Sequence, residues 1–338
     1  MGLDVGPPHE EVARPTVASP RARRTGRRGV RSACQRARCH LSELTGYLAP
    51  EGFLAELREE LGGAAQEVHG DLVLAEGPER PVAWCANVWR NPLHIPIASI
   101  GDAAKKLRAI QRNWVHYPLT HHRRAALIAD KLPKVSAKPL AFGAGAPIAP
   151  LGSWTLIAPD MMLASPSCSS PFPNGEARFV EDKTAPSRAY LKLWELFTRI
   201  GVRPQPGELC LDLGSSPGGW TWVLQRLGAR VVSVDKAPLD ASVAALPEVE
   251  HRNQSAFALD PHAAGQVEWL LSDIVCYPRR LLGLVQKWRQ AGTARRFVCT
   301  IKFQGATDFA AMRQFAAIPG SQLLHLHHNK HELTWIQL

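Results

Sequence analysis

The sequence predicts an α/β protein in which a smaller α+β domain precedes a mostly parallel sheet with helices on both faces. Three observations lead to this. From about residue 180 onward, short apolar runs alternate with amphipathic runs, which is the pattern of strand–helix–strand units. A glycine-rich turn joins the first of these strands to a helix, and charged residues end several strands. Between about residues 41 and 175, strand-like and helix-like runs follow one another without that alternation.

In the N-terminal domain, hydrophobic periodicity and end signals identify the elements. They are, in order, a strand and turn in GYLAPEGF, a helix in FLAELREELG that ends at Gly62, a strand in DLVLAE, basic-faced helices in DAAKKLRAIQRNW and HHRRAALIADKL, and a strand in SWTLIAPDMMLA. The Ser, Pro and Gly density of SPSCSSPFPNG indicates a linker or an ordered loop. We therefore divide the chain into an arm (1–40), an α+β domain (41–175) and a second domain (176–338).

The second domain alternates between strands and helices over most of its length. Its predicted elements are a helix in SRAYLKLWELFTRIG, strands in LCLDL, RVVSV, VEWLLSD and RFVCTIKF, helices in GWTWVLQRLG, PRRLLGLVQKWRQAG and TDFAAMRQFAAI, and a final strand pair in SQLLHLHH and ELTWIQL. Ligands of such sheets bind beyond the carboxyl ends of the strands. The residues that end these strands are therefore the first candidates for a functional site.

The formal net charge of +10 is unevenly distributed, since residues 1–40 hold nine arginines and three acids. Such an arm can attract nucleic acid without sequence preference, or it can be a solvated tail. No apolar run is long enough for a membrane span, and no apolar segment follows the arginine pairs as in a secretory signal. Seven scattered cysteines indicate reduced thiols, so we expect a cytoplasmic protein. Cys34, Cys39 and His40 form a poor zinc pattern, and we expect no metal.

The glycine-rich turn, LDLGSSPGGW, indicates the cofactor. Its glycine spacing differs from the dinucleotide fingerprint, and the lysine of a phosphate-binding loop is missing. Asp212 lies near the end of one strand and Asp235 ends the next, where carboxylates can bind amine and ribose hydroxyl groups. A ligand with a ribose and an amino acid tail but no pyrophosphate is S-adenosylmethionine. The alternative is a structural turn that binds nothing.

From about Ser170 to Leu338 the sequence resembles the FtsJ-like family of RNA 2′-O-ribose methyltransferases, which use S-adenosylmethionine. The resemblance rests on SPFPNG, APSRAYLKLWE, LDLGSSPGGWTW, VVSVDKAP, LLSDIVCYP, TIKF and HNKHELTW. Within the family it is closest to enzymes that methylate a cytidine ribose of 23S ribosomal RNA and carry a THUMP-containing N-terminal region. The resemblance implies a Rossmann-like catalytic domain and, in residues 41–175, a reduced THUMP-like RNA-binding domain.

The family uses a Lys-Asp-Lys-Glu tetrad, which the matching motifs assign to Lys192, Asp273, Lys302 and Glu332. The resemblance implies that Lys302 accepts the proton of the ribose hydroxyl while Lys192 steadies the alkoxide that develops. It implies that Asp273 and Glu332 orient the two lysines. A lysine can act as a general base when a neighbouring cation and partial burial lower its pKa.

The resemblance also extends the cofactor site. Ser187 is expected to contact the cofactor tail, Arg188 to position phosphate or order the loop, and Trp220 to cover the loop or pack in the core. Ser255 stands where the family has an acidic residue beside the adenine, so a weaker hydrogen bond is expected there. The expected cofactor-binding residues are Ser187, Asp212, Gly214, Ser216, Pro217, Gly218, Gly219, Trp220, Asp235, Ser255 and Asp273.

The expected partner is RNA, either 23S rRNA or a ribosome assembly intermediate, with no membrane involved and a monomer favoured. The basic helices would follow phosphates through Lys105, Lys106, Arg108, Arg112, Arg123 and Arg124, unless these form a solvated face. Nearby Trp114, His116 and Tyr117 would stack on bases or pack in the core. The alternatives are a 2′-O-methyltransferase of tRNA or an mRNA cap, and a catalytically weak RNA-binding protein that keeps the fold.

Overall fold

The computed structural model of the chain describes residues 44–338. The expectations for the arginine-rich arm, including Cys34, Cys39 and His40, lie outside the described residues. Across residues 44–338, no group of three or more His, Cys, Asp or Glu side chains is placed to hold a metal ion. No helix in that range has the length and apolar character needed to cross a bilayer. The cysteines there are free thiols: Cys85, Cys168, Cys210, Cys276 and Cys299.

The strands are β1 Leu44–Leu48, β2 Ala65–His69, β3 Leu72–Glu76, β4 Asn87–Arg90, β5 Leu93–Pro96, β6 Trp114–His116, β7 Gly152–Ala158, β8 Met161–Ser165, β9 Ser167–Cys168, β10 Leu209–Leu213, β11 Arg230–Asp235, β12 Val249–Asn253, β13 Val267–Ser272, β14 Ala294–Lys302, β15 Ser321–Leu324 and β16 Glu332–Gln337. The helices are α1 Leu54–Leu61, α2 Ile100–Ile110, α3 His122–Ala129, α4 Tyr190–Ile200, α5 Gly219–Arg226, α6 Ala241–Ala244, α7 Pro261–Ala264, α8 Pro278–Ala291 and α9 Phe309–Ala316.

The N-terminal region contains two small sheets, with strand orders β2-β3-β1-β4-β9 and β5-β8-β7-β6. All their pairs are antiparallel except β6 with β7. The run SWTLIAPDMMLA, predicted as one strand, forms the hairpin β7–β8 because Pro159 and Asp160 lie at its turn. Helices α2 and α3 cover the second sheet through a shared apolar cluster. The region is therefore α+β, as predicted.

The C-terminal sheet has seven strands in the order β12-β11-β10-β13-β14-β16-β15. The first five are parallel, and β16 and β15 complete one edge in antiparallel pairing. Neighbouring residues of β10 alternate between the two faces, so that Cys210 and Leu211 lie in different apolar clusters. Helices α4 and α5 pack on one face, and α8 and α9 on the other. This arrangement confirms the α/β prediction, and its pattern follows from the period of two in a strand.

The change from antiparallel to parallel architecture near residue 175 does not interrupt the packing. The described residues, 44–338, belong to one compact unit. Trp84 of the N-terminal region is fully buried and stacks on Phe53 with 4.6 Å between ring centroids. Its ring lies 5.8 Å from that of Phe303, which directly follows β14. The division into residues 41–175 and 176–338 stays a prediction.

Candidate active site

Four charged side chains lie at one edge of the C-terminal sheet. Asp212 is near the end of β10, Asp235 ends β11, Asp273 directly follows β13 and Lys302 ends β14. Because these strands are parallel, their carboxyl ends meet at the same edge. The edge therefore gathers charged groups that are far apart in the chain.

The glycine turn between β10 and α5 brings backbone close to its neighbours. Gly214 has a φ of +75°, and a Cβ there would lie 2.2 Å from Cγ1 of Ile274. A Cβ at Gly219 would lie 2.6 Å from Oγ of Ser187. Larger side chains would therefore displace two walls of a cavity of about 370 Å³ that the turn borders.

Most of the expected cofactor residues line this cavity. They are Ser187, Asp212, Gly214, Ser216, Pro217, Gly219, Trp220, Asp235 and Asp273. Gly218 does not line it, because the glycine faces Val243, 2.9 Å from where its Cβ would lie. Ser255 does not line it either. Ser255 follows the end of β12, beside the strand that ends in Asp235.

Asp212 is the most buried charged group of the cavity, with 1% exposure. Burial raises the pKa of Asp212 to about 7. The hydrogen bond that Thr221 donates to Oδ2 at 2.7 Å lowers this pKa, and the charge of Asp273 raises it further. Oδ1 of Asp212 and Oγ of Ser187 are buried and lack hydrogen-bond partners within the described chain. Such atoms are usually satisfied in proteins. The cavity therefore fits the cationic amino acid tail of S-adenosylmethionine.

Asp235 lies at another part of the cavity. Its Oδ2 accepts from the backbone N–H of Ser216 at 3.1 Å, and its Oδ1 from that of Ala237 at 2.9 Å. These bonds hold a carboxylate at the end of β11, where it can bind ribose hydroxyls. Trp220 is 3% exposed and donates Nε1–H to the carbonyl of Ala189 at 3.0 Å. The indole thus packs in the core and also ties α5 to the wall beside Ser187.

The predicted tetrad is assembled around Asp273. Nζ of Lys192 donates to both carboxylate oxygens of Asp273, at 2.8 and 2.9 Å, and to Oε1 of Glu332 at 3.1 Å. Nζ of Lys302 lies 3.1 Å from Oδ1 of Asp273 and donates to its carbonyl at 2.6 Å. Lys302 and Glu332 face each other in the antiparallel pair β14–β16. Two cations and two carboxylates thus form one compact network.

The network leaves Lys192 firmly charged. Burial opposes its charge, but the carboxylates of Asp273 and Glu332 outweigh burial and raise the pKa of Lys192. Its side chain is 9% exposed, that of Glu332 11% and that of Asp273 15%. A buried ion pair of this kind requires partners for both charges. Lys192 is therefore a fixed cation.

A second cavity, of about 640 Å³, also borders Lys302. Its lining residues are Arg188, Ala189, Leu191, Lys192, Lys302, His327, His328, Lys330 and Glu332. Ala189 and Lys302 border both cavities. Arg188 is exposed there and pairs with Glu181 at 2.8 Å. We refer to the two spaces below as the cofactor cavity and the substrate cavity.

Sequence reasoning missed Glu195, one turn after Lys192 on α4. Its side chain is fully buried and accepts from the backbone N–H groups of His327 and His328, at 2.8 and 3.1 Å. It also accepts from Nδ1 of His328 at 2.8 Å and from Arg199 at 3.2 Å. Burial raises the pKa of Glu195, but these partners outweigh burial and lower it below its usual range. Its place in the quoted motif APSRAYLKLWE was the available signal.

The bonds to Glu195 also explain a wrong element prediction. SQLLHLHH was predicted as a strand to its end, but β15 stops at Leu324. The backbone N–H groups of His327 and His328 bind a carboxylate instead of a neighbouring strand. The residues between β15 and β16 therefore form a loop that carries Lys330 to the substrate cavity.

No residue of the basic helices α2 and α3 lines either of these two cavities. Lys105, Arg108, Arg112 and Arg123 are exposed, while Lys106 pairs with Asp102 at 2.9 Å. The aromatic residues between the helices are less available. Trp114 is 4% exposed and donates to Leu107, Tyr117 accepts from the backbone of Asp71, and His116 lies against Trp154. The indole of Trp114 therefore packs in the core.

These features define a class. The parallel sheet, the glycine turn after its central strand and the carboxylates at two adjacent strand ends give the C-terminal region a Rossmann-like fold with a cavity that fits S-adenosylmethionine. Residues 185–303 match the model of the FtsJ-like methyltransferase family. The matched residues include the glycine turn, Lys192, Asp273 and Lys302, and S-adenosylmethionine is the cofactor of that family.

Curated relatives are similar to about half of the chain. Ribosomal RNA large subunit methyltransferase M of Halorhodospira halophila is 34% identical over 171 residues, which is 48% of this chain and 50% of the relative. The protein of that name from Xanthomonas campestris pv. campestris is 33% identical over 212 residues, covering 60% of this chain and 56% of the relative. The chain spans about half the length of these relatives. The solved structure of TrmN from Thermus thermophilus is 12% identical, covers 87% of this chain and 99% of its own, and has a TM-score of 0.36.

Proposed function

We propose that this protein is an S-adenosylmethionine-dependent methyltransferase of RNA ribose 2′-hydroxyls. Its proposed substrate is a cytidine of 23S rRNA, free or in an assembly intermediate. The observation that carries the proposal is that Lys302 borders both the cofactor cavity and the substrate cavity. A group that removes a proton during methyl transfer has to stand between the two reactants.

The chemistry follows from the network around Asp273. S-adenosylmethionine supplies an electrophilic methyl group, and the ribose hydroxyl has to lose its proton to accept it. Lys192 has two carboxylate partners and keeps its proton. Lys302 contacts one carboxylate and borders both cavities. We therefore assign to its Nζ the role of accepting the proton that the ribose hydroxyl loses. The fixed charge of Lys192 would then stabilise the oxygen as it becomes negative.

The two carboxylates act through the lysines. Asp273 binds both amino groups and thereby sets the distance between base and cation. Glu332 holds Lys192 from the opposite side. The charges of the two lysines and the two carboxylates cancel, so the network itself neither attracts nor repels an anionic strand strongly. The phosphates of the strand would instead be bound by Arg188 and Lys330, which line the same cavity.

RNA as the substrate is supported by the outer wall of the substrate cavity. Arg188, Lys302 and Lys330 line it together with two histidines, and its carboxylate, Glu332, is bound to Lys192. Such a wall suits phosphate groups. The names of the relatives support large-subunit rRNA, and residues 41–175 are proposed to hold the RNA. A cytoplasmic monomer would serve this role.

The test is transfer of tritiated methyl groups to RNA by purified protein. Lys302→Ala and Lys302→Arg should each reduce incorporation by at least about 100-fold, since general bases contribute that much or more. Lys302→Arg is the sharper variant, because an arginine keeps the charge but does not accept a proton. Cofactor binding, measured by calorimetry, should persist in both. Lys131→Ala, which removes an exposed lysine outside both cavities, is the matched control.

Incorporation that survives in Lys302→Arg would rule out Lys302 as the base. The target is tested separately, by mapping 2′-O-methyl groups in RNA from cells with and without the gene. Loss of one methylated cytidine in 23S rRNA is expected. Loss of a methyl group in tRNA instead would keep the chemistry and change the substrate.

A further inference from the structure

A cavity of about 700 Å³ lies outside both sites, between the N-terminal sheets and the segment that follows α3. Its lining includes Asn113 and His116 from the region of β6, residues 134–141, 147 and 149–151, and residues 171–174 with Glu176 and Arg178. This volume is in the range of pockets that bind small ligands or single nucleotides. Nothing in the catalytic network uses it.

The segment 133–150 forms one wall because it is bonded to the catalytic domain. The N–H of Leu140 donates to the carbonyl of Arg178 at 2.9 Å, and the N–H of Val180 donates to the carbonyl of Leu140 at 2.9 Å. Phe142 packs against Trp194 of α4 with 4.9 Å between ring centroids. A segment rich in proline and alanine is thus held open across the space instead of collapsing into it.

The charge of the cavity favours an anion. Lys134, Lys138 and Arg178 line it, and Glu176 is the one acid among the lining residues. Glu176 is paired with Arg178. Neither Lys134 nor Lys138 has an ion-pair partner among residues 44–338, and both are exposed. Two uncompensated lysines on the lining of one cavity suit a phosphate.

The rest of the lining suits a base. Phe172 and several prolines supply apolar surface, while Asn174 and His116 supply hydrogen-bonding groups. Oδ1 of Asn174 and Nε2 of His116 are buried without a hydrogen-bond partner in the described part of the chain. Aromatic or apolar surface beside amide edges is how proteins bind unstacked bases of single-stranded RNA.

This cavity adjoins the substrate cavity. Arg178 lines the first cavity, and the ring of the next residue, Phe179, lies 5.6 Å from the ring of His328, which lines the substrate cavity. Glu176 and Arg178 are among the charges that act on His327, another residue of that lining. A strand that leaves the substrate cavity over the two histidines would therefore pass toward the cavity that Lys134 and Lys138 line.

We propose that this cavity is a subsite for a nucleotide that flanks the methylated one in the same RNA strand. Lys134 and Lys138 bind its phosphate, and its base enters between Phe172 and the proline wall. The inference rests on the proposed function, because it takes the RNA strand from the catalytic site as its ligand.

The test compares two kinds of variant in methylation of an RNA fragment. The double variant Lys134→Ala, Lys138→Ala should raise KM for RNA by about tenfold or more and reduce the salt dependence of binding by one or two phosphate contacts. Ala137→Trp fills the cavity without changing the charge and should also raise KM. Lys131→Ala, which removes an exposed lysine three positions away, should behave as wild type. Binding of the cofactor should be unchanged in all of them.

Photo-crosslinking identifies the position directly. RNA carrying 4-thiouridine next to the target nucleotide should crosslink to the peptides that contain residues 134–141 or 171–178, and Ala137→Trp should suppress the crosslink. An effect of the lysine variant without an effect of Ala137→Trp would reduce the cavity to a charged surface and overturn the subsite. The subsite would also be overturned if the wild type is active and none of the variants changes the KM for RNA or the crosslink. Failure of wild type to methylate any RNA would instead remove the proposed function, and the subsite with it.

Discussion

Binding of the cofactor should be linked to a proton on Asp212. Burial raises the pKa of this carboxyl to about 7 in the protein without ligand, compared with about 4 for a free aspartate. A ligand ammonium at its unpartnered Oδ1 would favour the ionised form. Binding at pH 7 should therefore release about half a proton per site, because about half of the carboxyls are protonated there.

The magnitude follows from the fraction ionised. With a pKa of about 7, about one Asp212 carboxyl in thirty is ionised at pH 5.5, so affinity should fall by about thirtyfold between pH 8 and pH 5.5. S-adenosylhomocysteine has the same amino acid tail and is not consumed, which makes it the ligand for calorimetry in buffers of different ionisation enthalpy. Asp212→Asn should show weaker affinity at pH 8 but little of this pH dependence. The ligand's own titration is common to both proteins and cancels in the comparison.

The same shift has an effect on stability, with a fixed sign. Because the folded pKa lies above the unfolded value, the favourable contribution of Asp212 is fully present below about pH 4 and is lost as pH rises to about 7. The unliganded wild type should therefore lose more thermal stability between pH 5 and pH 8 than Asp212→Asn does. Equal pH dependence of ligand affinity in the two proteins, or binding without proton release, would refute the role of Asp212.

Two further predictions concern the walls of the site. Glu195→Gln removes the buried charge that faces Arg199 and should destabilise the protein by about 3 kcal/mol, as breaking a buried ion pair does. It should also lower kcat while the Kd of the cofactor stays the same, as measured by thermal unfolding, steady-state kinetics and calorimetry. An unchanged kcat would mean that the loop after β15 holds its position without Glu195. Gly214→Ala places a Cβ 2.2 Å from Ile274 and should weaken cofactor binding by at least about tenfold. Gly207→Ala controls for backbone strain, because Gly207 has a similar φ of +82° and no neighbour within 4 Å of its Cβ position. Similar cofactor affinities of the two variants, measured by calorimetry, would contradict the proposed close approach.

Much of the site followed from rules that apply along the chain. Alternating strands and helices require a parallel sheet, and a parallel sheet brings its strand ends to one edge. That reasoning was sufficient to bring Asp212, Asp235, Asp273 and Lys302 to one region. Motif matching added Lys192 and Glu332, which the structure brings into the same network.

Other features depend on contacts between distant segments, which periodicity does not report. The strand predicted through His328 stops early because Glu195 binds the backbone of the loop. Ser255 lies beyond the set of residues that line the cofactor cavity, although its position along the chain matched the family pattern.

The sequence by itself determined the fold class and the position of the glycine turn, because these follow from local periodicity and spacing, while the resemblance of motifs supplied the four residues of the tetrad. Only the tertiary structure decided that Asp273 holds both lysines, that Lys302 borders two cavities and that segment 133–150 walls a third. The physical reason is that cavities and buried charge networks arise where segments far apart in the chain pack together. Their geometry depends on all the walls at once.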